Sequence, residues 1–204
     1  MKQWLPAASM VTDDDRARLE EFAALLQRWN ARINLVGRAD AAEIWRRHIL
    51  DSIQLQPLVP SGSDAFMDLG TGAGFPGLIL AVLTRRPVHL VESDERKAAF
   101  LQEAVRLLRI DAIIHARRAE SLRVASVHLI TARALAPLPH LLTLATPLLA
   151  REGTCIFPKG RNVVAELTVA RREWHMHVER FPSRTDPDGT ILRIREIRRA
   201  PSLR

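Results

Sequence analysis

Asp68-Leu69-Gly70-Thr71-Gly72-Ala73-Gly74-Phe75-Pro76-Gly77 is the stretch that decides how this chain is read. It lies between two apolar runs, Ala65–Leu69 and Leu78–Leu83, and so reads as a strand, a glycine-rich turn and a helix. Glycine lets the backbone turn sharply and lets a ligand approach it closely. The start of the helix offers backbone N–H groups without intrahelical partners. Pro76 suits that first turn, where a missing N–H costs nothing. Two ligands compete for such a turn. Gly72–Gly77 matches G-x-G-x-x-G and Glu92 lies 20 residues beyond Gly72, which is a dinucleotide pattern. The other ligand is S-adenosylmethionine, and Asp68 favours it: a carboxylate at the strand end attracts a cationic methionine portion and repels a pyrophosphate. Glu92, closing the next strand, can accept both ribose hydroxyls in either case. A purely structural turn is the third reading.

Downstream the pattern alternates. Strands are expected at Val88–Glu92, Ala112–His115, Val127–Thr131 and Gly153–Phe157, with helices at Asp94–Arg109 and Pro137–Ala150. Short apolar strands alternating with helices imply a parallel sheet covered on both faces. Trp174–Phe181 and Thr190–Ile197 flank the turn cluster Asp186-Pro187-Asp188-Gly189 and suggest an antiparallel hairpin at the sheet edge. The fold class that follows is α/β and Rossmann-like.

Further residues carry candidate chemistry. After the third strand, the Ala119 amide and the Glu120 carboxylate could complement the acceptor and the amino donor of an adenine ring; on its own, Glu120 reads more simply as a residue that caps or solvates the next helix. In a methyltransferase of this fold, the end of the fourth strand faces the transferring methyl group. The sequence there is Ala132-Arg133-Ala134-Leu135-Ala136-Pro137. An Asp or Asn followed by Pro-Pro-aromatic, which would hold an exocyclic amine, is absent. Cys155 falls inside an expected strand and reads as a core residue rather than the nucleophile that methylation of a pyrimidine C5 needs. A target that is nucleophilic without deprotonation remains, and guanine N7 is one. Lys159 and Arg161, after the fifth strand, could hold a phosphate.

Upstream, residues 1–60 read as a helical extension and residues 61–204 as the main domain. Thr12 precedes Asp13, Asp14 and Asp15, which places an N-cap and acidic residues at a helix start. Asp40-Ala41-Ala42-Glu43 opens a second helix that Pro57 should end. His48 reads as a packed helix residue, and Asp51 and Ser52 either brace the glycine turn or face solvent. Trp4, Trp29, Trp45 and Trp174 read as packing residues. Met1–Met10 lacks the order of a signal peptide, no apolar run reaches the ~18 residues of a spanning helix, and a lone cysteine forms no disulfide or cysteine-based zinc framework. These features point to a cytoplasmic protein, monomeric and metal-free. The net charge is +7, concentrated in residues 151–204, which hold twelve basic and seven acidic side chains. A basic end suits a polyanionic partner, although an arginine-for-lysine bias accounts for part of it: Lys2, Lys97 and Lys159 are the only lysines.

The chain resembles the RsmG (GidB) family of small-subunit ribosomal RNA guanine-N7 methyltransferases. The resemblance runs through Trp29-Asn30, Asn34-Leu35, Arg47-His48-Ile49-Leu50-Asp51-Ser52, Asp68–Gly77, Glu92-Ser93, Arg133-Ala134 and Pro158-Lys159-Gly160. The His-Ile-Leu-Asp-Ser element is its most specific part. Glu92 stands where the family more often has Asp. The resemblance implies a class I S-adenosylmethionine-dependent methyltransferase with 16S rRNA, or the small ribosomal subunit, as partner. The target would be a guanine N7 in the 530 loop. Cofactor contacts would fall on Gly70, Phe75, Ala119, Glu120 and Arg133, beside Gly72 of the turn and Glu92 at the end of the second strand. The competing expectations are an NAD-dependent oxidoreductase using the same turn and a noncatalytic RNA-binding protein.

Overall fold

The computed structural model describes residues 11–37, 40–62 and 64–201. Met1–Met10, Trp4 and Arg204 lie outside them. In chain order the elements are α1 (Asp13–Asn30), α2 (Ala41–Ile44), a π turn (Trp45–Ile49), α3 (Leu50–Ile53), β1 (Phe66–Leu69), α4 (Gly77–Thr84), β2 (Val88–Val91), α5 (Glu95–Leu108), β3 (Ala112–His115), β4 (Val127–Ala132), α6 (Leu138–Ala145), β5 (Leu149–Lys159), α7 (Val163–Glu173), β6 (Trp174–Pro182) and β7 (Thr190–Arg199). Three-residue 3₁₀ turns lie at Gln56–Leu58, Ala119–Ser121 and Thr146–Leu148.

The seven strands form one sheet in the order β3-β2-β1-β4-β5-β7-β6. β1 to β5 run parallel, and β7 pairs antiparallel with both β5 and β6. β1 lies inside the sheet between β2 and β4, and all four of its residues are buried. Parallel strands covered on both faces have no solvent side on which to place polar residues, so the one charged residue in β1, Asp68, requires internal partners. The strand order turns back on itself at β1 and β4, and the crevice outside their carboxyl ends is where this architecture binds ligands.

Two apolar layers flank the sheet. One brings α1, α4 and α5 onto β1 and β2 through Phe22, Phe100, Leu78 and Leu90. The other packs α6 and α7 onto β4, β5 and β7 through Leu141, Leu167, Phe157 and Leu192. Phe22 joins the N-terminal helix to the glycine turn directly: its ring meets Phe75 edge-on at 5.6 Å and Phe100 at 6.2 Å. Burying one such ring contributes roughly 1.5–3 kcal/mol. α1 starts as expected, with the Thr12 hydroxyl accepting from the Asp15 amide and Asp15 reaching back to Thr12.

Several boundaries differ from the sequence reading. The second helical segment ends at Ile53, not at Pro57, which sits inside a 3₁₀ turn. α6 ends at Ala145 rather than Ala150, because Pro147 follows in a 3₁₀ turn and β5 begins at Leu149. α7 is an element the sequence pattern does not disclose. Its buried residues Val163, Leu167 and Ala170 do follow helical spacing, but the β-branched Val163, Val164 and Val169 weaken the pattern. The expected edge hairpin is present as β6 and β7.

Candidate functional site

The turn after β1 owes its shape to Asp68. The side chain is fully buried. Its Oδ2 accepts from the Thr71 hydroxyl at 2.5 Å and the Gly77 amide at 3.0 Å, and its Oδ1 accepts from the Thr131 hydroxyl at 2.6 Å. This corrects the sequence reading: Asp68 does not face a ligand at all. It ties β1 to its own turn and to β4, and Gly77 is glycine because a Cβ there would lie 2.8 Å from Asp68 and 2.7 Å from Leu90. Burial pushes the carboxyl up to about 6, against the opposing pull of the Thr131, Thr71 and Gly77 hydrogen bonds.

Two cavities open on this turn. One, about 360 Å³, lies between Gly72, Glu92, Ala119, Glu120, Leu135 and His140. The other, about 790 Å³, lies between Val36, His48, Phe75, Arg133, Lys159 and Thr185. Gly70, Gly72 and Ala134 line both. Gly72 has φ +58°, and an added Cβ would meet only the Gly70 carbonyl at 4.0 Å, so this backbone stands open to a ligand. Glu92 is 8 % exposed. Its carboxylate accepts from the Gly72 amide at 3.0 Å and from the Asp94 amide at 2.8 Å, which leaves lone pairs for further donors. Glu120 is exposed, with His140 Nε2 at 3.9 Å.

The larger cavity is walled by the N-terminal segment. Asn30 Oδ1 accepts from the Leu35 and Val36 amides, both at 2.9 Å, and so folds the loop after α1 into the wall. The His-Ile-Leu-Asp-Ser element begins in the π turn, a deformation that re-aims side chains. Here it turns His48 and Asp51 onto Arg133. Arg133 donates to the Arg47 carbonyl at 3.1 Å, to Asp51 Oδ2 at 3.2 Å and to His48 Nδ1 at 2.9 Å. Phe75 lies beneath, its ring 5.1 Å from that of His48 in a stack and 5.2 Å from the Arg133 guanidinium carbon. The Phe75 ring is therefore taken up by packing. Asp51 Oδ1 accepts from Gln54 at 2.7 Å and from Thr185 at 2.6 Å, and the Arg184 amide donates to Gln54 Oε1 at 2.8 Å. One carboxylate thus joins the N-terminal segment, the loop after β4 and the hairpin connection. Gln54, Ser183 and Thr185 do not stand out in the sequence, since no local pattern reveals a contact about 130 residues away.

Burial first, then the charges of Arg133 and Arg47, lower His48 to about 4. The ring is neutral at neutral pH, with Nδ1 accepting. In the folded protein, an NMR titration of His48 should give a midpoint near 4, and removing Arg133 should raise it. A midpoint near 6.5 would show that the ring is not packed as described. Because the folded value is depressed, the unfolded chain binds more protons between pH 4 and 6.5. The contribution of His48 to stability is therefore complete above pH 6.5 and lost as pH falls toward 4. Asp68 acts in the opposite sense: its raised value contributes below about pH 4 and fades by about pH 6. A site-specific probe is for that reason the proper measurement.

Lys159 ends β5, but it is not a free cation. Its side chain is 9 % exposed, and its ammonium donates to the Ala136 carbonyl at 2.9 Å and pairs with Glu166 at 2.6 Å. Arg161 is exposed in the turn before α7. Cys155 is buried in β5, and burial pushes its thiol up, so it is the core residue expected. Among the described residues no cluster of three metal-ligating side chains occurs, and no helix is long and apolar enough to cross a membrane.

A seven-stranded sheet in this order, with a glycine turn after β1 and paired cavities at the strand ends, defines the class I S-adenosylmethionine-dependent methyltransferase fold. Solved structures agree. The O-methyltransferase of Bacillus cereus, in complex with SAH, superposes with a TM-score of 0.59 over 92 % of this chain and 93 % of that one, at 12 % identity. TYW2 of M. jannaschii, in complex with AdoMet, gives 0.57 over 74 % and 77 %, also at 12 % identity. Residues 15–189 match the family model GidB, rRNA small subunit methyltransferase G, and this chain belongs to that family. Proteins named ribosomal RNA small subunit methyltransferase G from Acidiphilium cryptum and Rhodospirillum centenum are 54 % and 51 % identical, covering 94 % of this chain and 90 % and 88 % of their own. Membership sets the oxidoreductase and the noncatalytic RNA-binding readings aside.

Proposed function

We propose that this protein transfers a methyl group from S-adenosylmethionine to N7 of a guanine in the 530 loop of 16S rRNA, acting in the cytoplasm as a monomer on the small subunit or its rRNA. The observation that carries the reading is the pair of cavities meeting at Gly70, Gly72 and Ala134. A cofactor with an adenosine at one end and an amino acid at the other fits two joined compartments. The adenosine belongs in the smaller one. There Glu92 accepts the ribose hydroxyls, and the Ala119 amide and Glu120 bond the adenine edge. Gly70 and Gly72 let the backbone approach, while Phe75 supports the site from beneath and Arg133 borders the methionyl end. When bound, the cofactor supplies an electrophilic methyl on a sulfonium.

The larger cavity would take the guanine. Its N7 lone pair needs no base to activate it, so the chain has only to hold the ring in line with the methyl and keep water out. Three acids line it: Asp186 is exposed and accepts from the Asp188 amide at 3.0 Å, and the other two are tied up inside the protein. Asp51 is committed to Gln54, Thr185 and Arg133, and Glu166 to Lys159 and the Leu138 amide. The division into a helical extension, residues 1–60, and a methyltransferase domain ending in the hairpin, residues 61–204, fits this reading, because Val36, Arg47, His48 and Asp51 of the extension wall the larger cavity. Arg161, exposed and next in the chain to Gly160 of the cavity wall, is the better placed of the two basic residues to meet a phosphate.

Nucleoside mass mapping of 16S rRNA tests the proposal. Cells lacking the gene should lose N7-methylguanosine from the 530 loop, and the purified protein with S-adenosylmethionine should restore it. An unchanged modification map would sink the assignment.

A further inference from the structure

Lys159 and Glu166 form a closed unit whose contacts all point to one place. The Lys159 ammonium holds the Ala136 carbonyl at 2.9 Å. Glu166 Oε2 pairs with that ammonium at 2.6 Å and also accepts from the Leu138 amide at 2.7 Å. Leu138 is the first residue of α6, whose N-cap, Pro137, offers no side chain to cap it. A carboxylate from α7 therefore does the capping across the fold, where the positive end of the helix favours it. Together the two side chains grip the segment 133–138 on both sides of Pro137.

That segment divides the two cavities. It carries Arg133 and Ala134, and Ala134 holds the left-handed conformation at φ +53°, which is costly for a residue with a Cβ. It also carries Leu135, whose Cδ1 lies 2.5 Å from where a Cβ on Gly70 would stand. A backbone held at positive φ without glycine persists only when its surroundings enforce it, and the backbone groups that Lys159 and Glu166 hold, the Ala136 carbonyl and the Leu138 amide, follow that residue by two and four positions. The chemistry of the pair differs from that of an RNA anchor. The charge is largely buried and neutralised, two of the ammonium's three donors are used inside the protein, and the partner is an acid that would repel phosphate.

We propose that Lys159 and Glu166 are positioning residues: they clamp the loop after β4, so that Arg133, Ala134 and Leu135 hold the partition between the adenosine compartment and the larger cavity, where the methionyl end meets the guanine. The proposal rests on the methyltransferase reading. Its test compares Lys159→Gln, Glu166→Gln and the double variant in the full-length protein. Both single variants should lower kcat by roughly 10²-fold, the scale expected when reacting groups are misplaced. The double variant should be little worse than the poorer single one, as for coupled neighbours. S-adenosylmethionine affinity by calorimetry should fall in both. RNA affinity and its slope against salt should stay as in the parent.

Hydrogen exchange supplies a readout that needs neither ligand. The segment 133–138 should exchange faster in either variant while β1 and α1 keep their protection. If Lys159→Gln instead lowers RNA affinity and cuts the salt slope by about one phosphate's worth, ~0.7–0.9, while Glu166→Gln leaves turnover intact, Lys159 is a phosphate anchor and the clamp is wrong. Unchanged exchange across 133–138 overturns it equally. Parent protein that fails to methylate rRNA would indict the functional reading alone, because cofactor affinity and exchange still judge the clamp.

Discussion

Gly70→Val should abolish the stabilisation of this protein by S-adenosylmethionine. Gly70 sits at φ +62°, and a Cβ there would lie 2.5 Å from Leu135 Cδ1 and 3.0 Å from Leu135 Cγ. Valine would add the strain of a branched residue in the left-handed region, on the order of 1–2 kcal/mol, and would push Leu135 into the space between the two cavities. In the parent protein a ligand at about a hundred times its dissociation constant stabilises the fold by about 2.7 kcal/mol through mass action. A thermal-shift series against cofactor concentration reads this directly. The parent melting temperature should climb with concentration and that of the variant should not. Gly37→Ala is the control, because an added Cβ there meets nothing within 4 Å, and it should behave as the parent. If NAD stabilises the parent and S-adenosylmethionine does not, the cofactor is misassigned. If the valine variant still responds, the turn is not where the cofactor binds.

Arg133→Ala should weaken S-adenosylmethionine binding in the absence of RNA, by on the order of 10–100-fold, and lower stability as well. The side chains of Arg133 and Asp51 are only 19 % and 16 % exposed. Removing one partner of a pair this well buried leaves the other uncompensated, and losses of about 3–5 kcal/mol are typical of full burial, so somewhat less is expected here. The same substitution strips the guanidinium from the Phe75 ring and the donor from His48. Arg133→Lys separates charge from geometry. Lysine keeps the positive charge but has no planar fork, and it cannot hold the Arg47 carbonyl, Asp51 and His48 at once, so it should rescue stability more than cofactor affinity. Calorimetric titration of the cofactor into each variant is the measurement. Unchanged affinity in Arg133→Ala would remove Arg133 from the cofactor site, and unchanged methylation as well would leave it a packing role only.

These two residues mark the range of what the sequence discloses. Gly70 is legible because a glycine-rich turn between a strand and a helix is a local pattern, and the steric reason for glycine travels with it. Arg133 is legible as a position, through the resemblance and the end of the fourth strand, but not as the bonded partner of His48 and Asp51. The His-Ile-Leu-Asp-Ser element is the most specific feature of the resemblance, yet its physical role emerges only where the π turn brings it against a residue 82 positions away. Asp68 misleads. A carboxylate at a strand end looks like a ligand contact, and only burial and the three hydrogen bonds show that its partners are Thr71, Gly77 and Thr131. Lys159 looks like a free cation for the same reason, because Glu166 lies on a helix that the residue pattern leaves hidden.

By itself the sequence determined the alternation of strands and helices, the central glycine turn, the acid at the end of the second strand and the family. The first three depend on residues close together in the chain, where periodicity, backbone freedom and capping act over a few positions, and the family is read from a series of such short motifs. The tertiary structure decided which charges are spoken for. Whether a carboxylate or an ammonium faces a ligand depends on its desolvation and on partners from other elements, and the sheet order β3-β2-β1-β4-β5-β7-β6 is what brings those partners together.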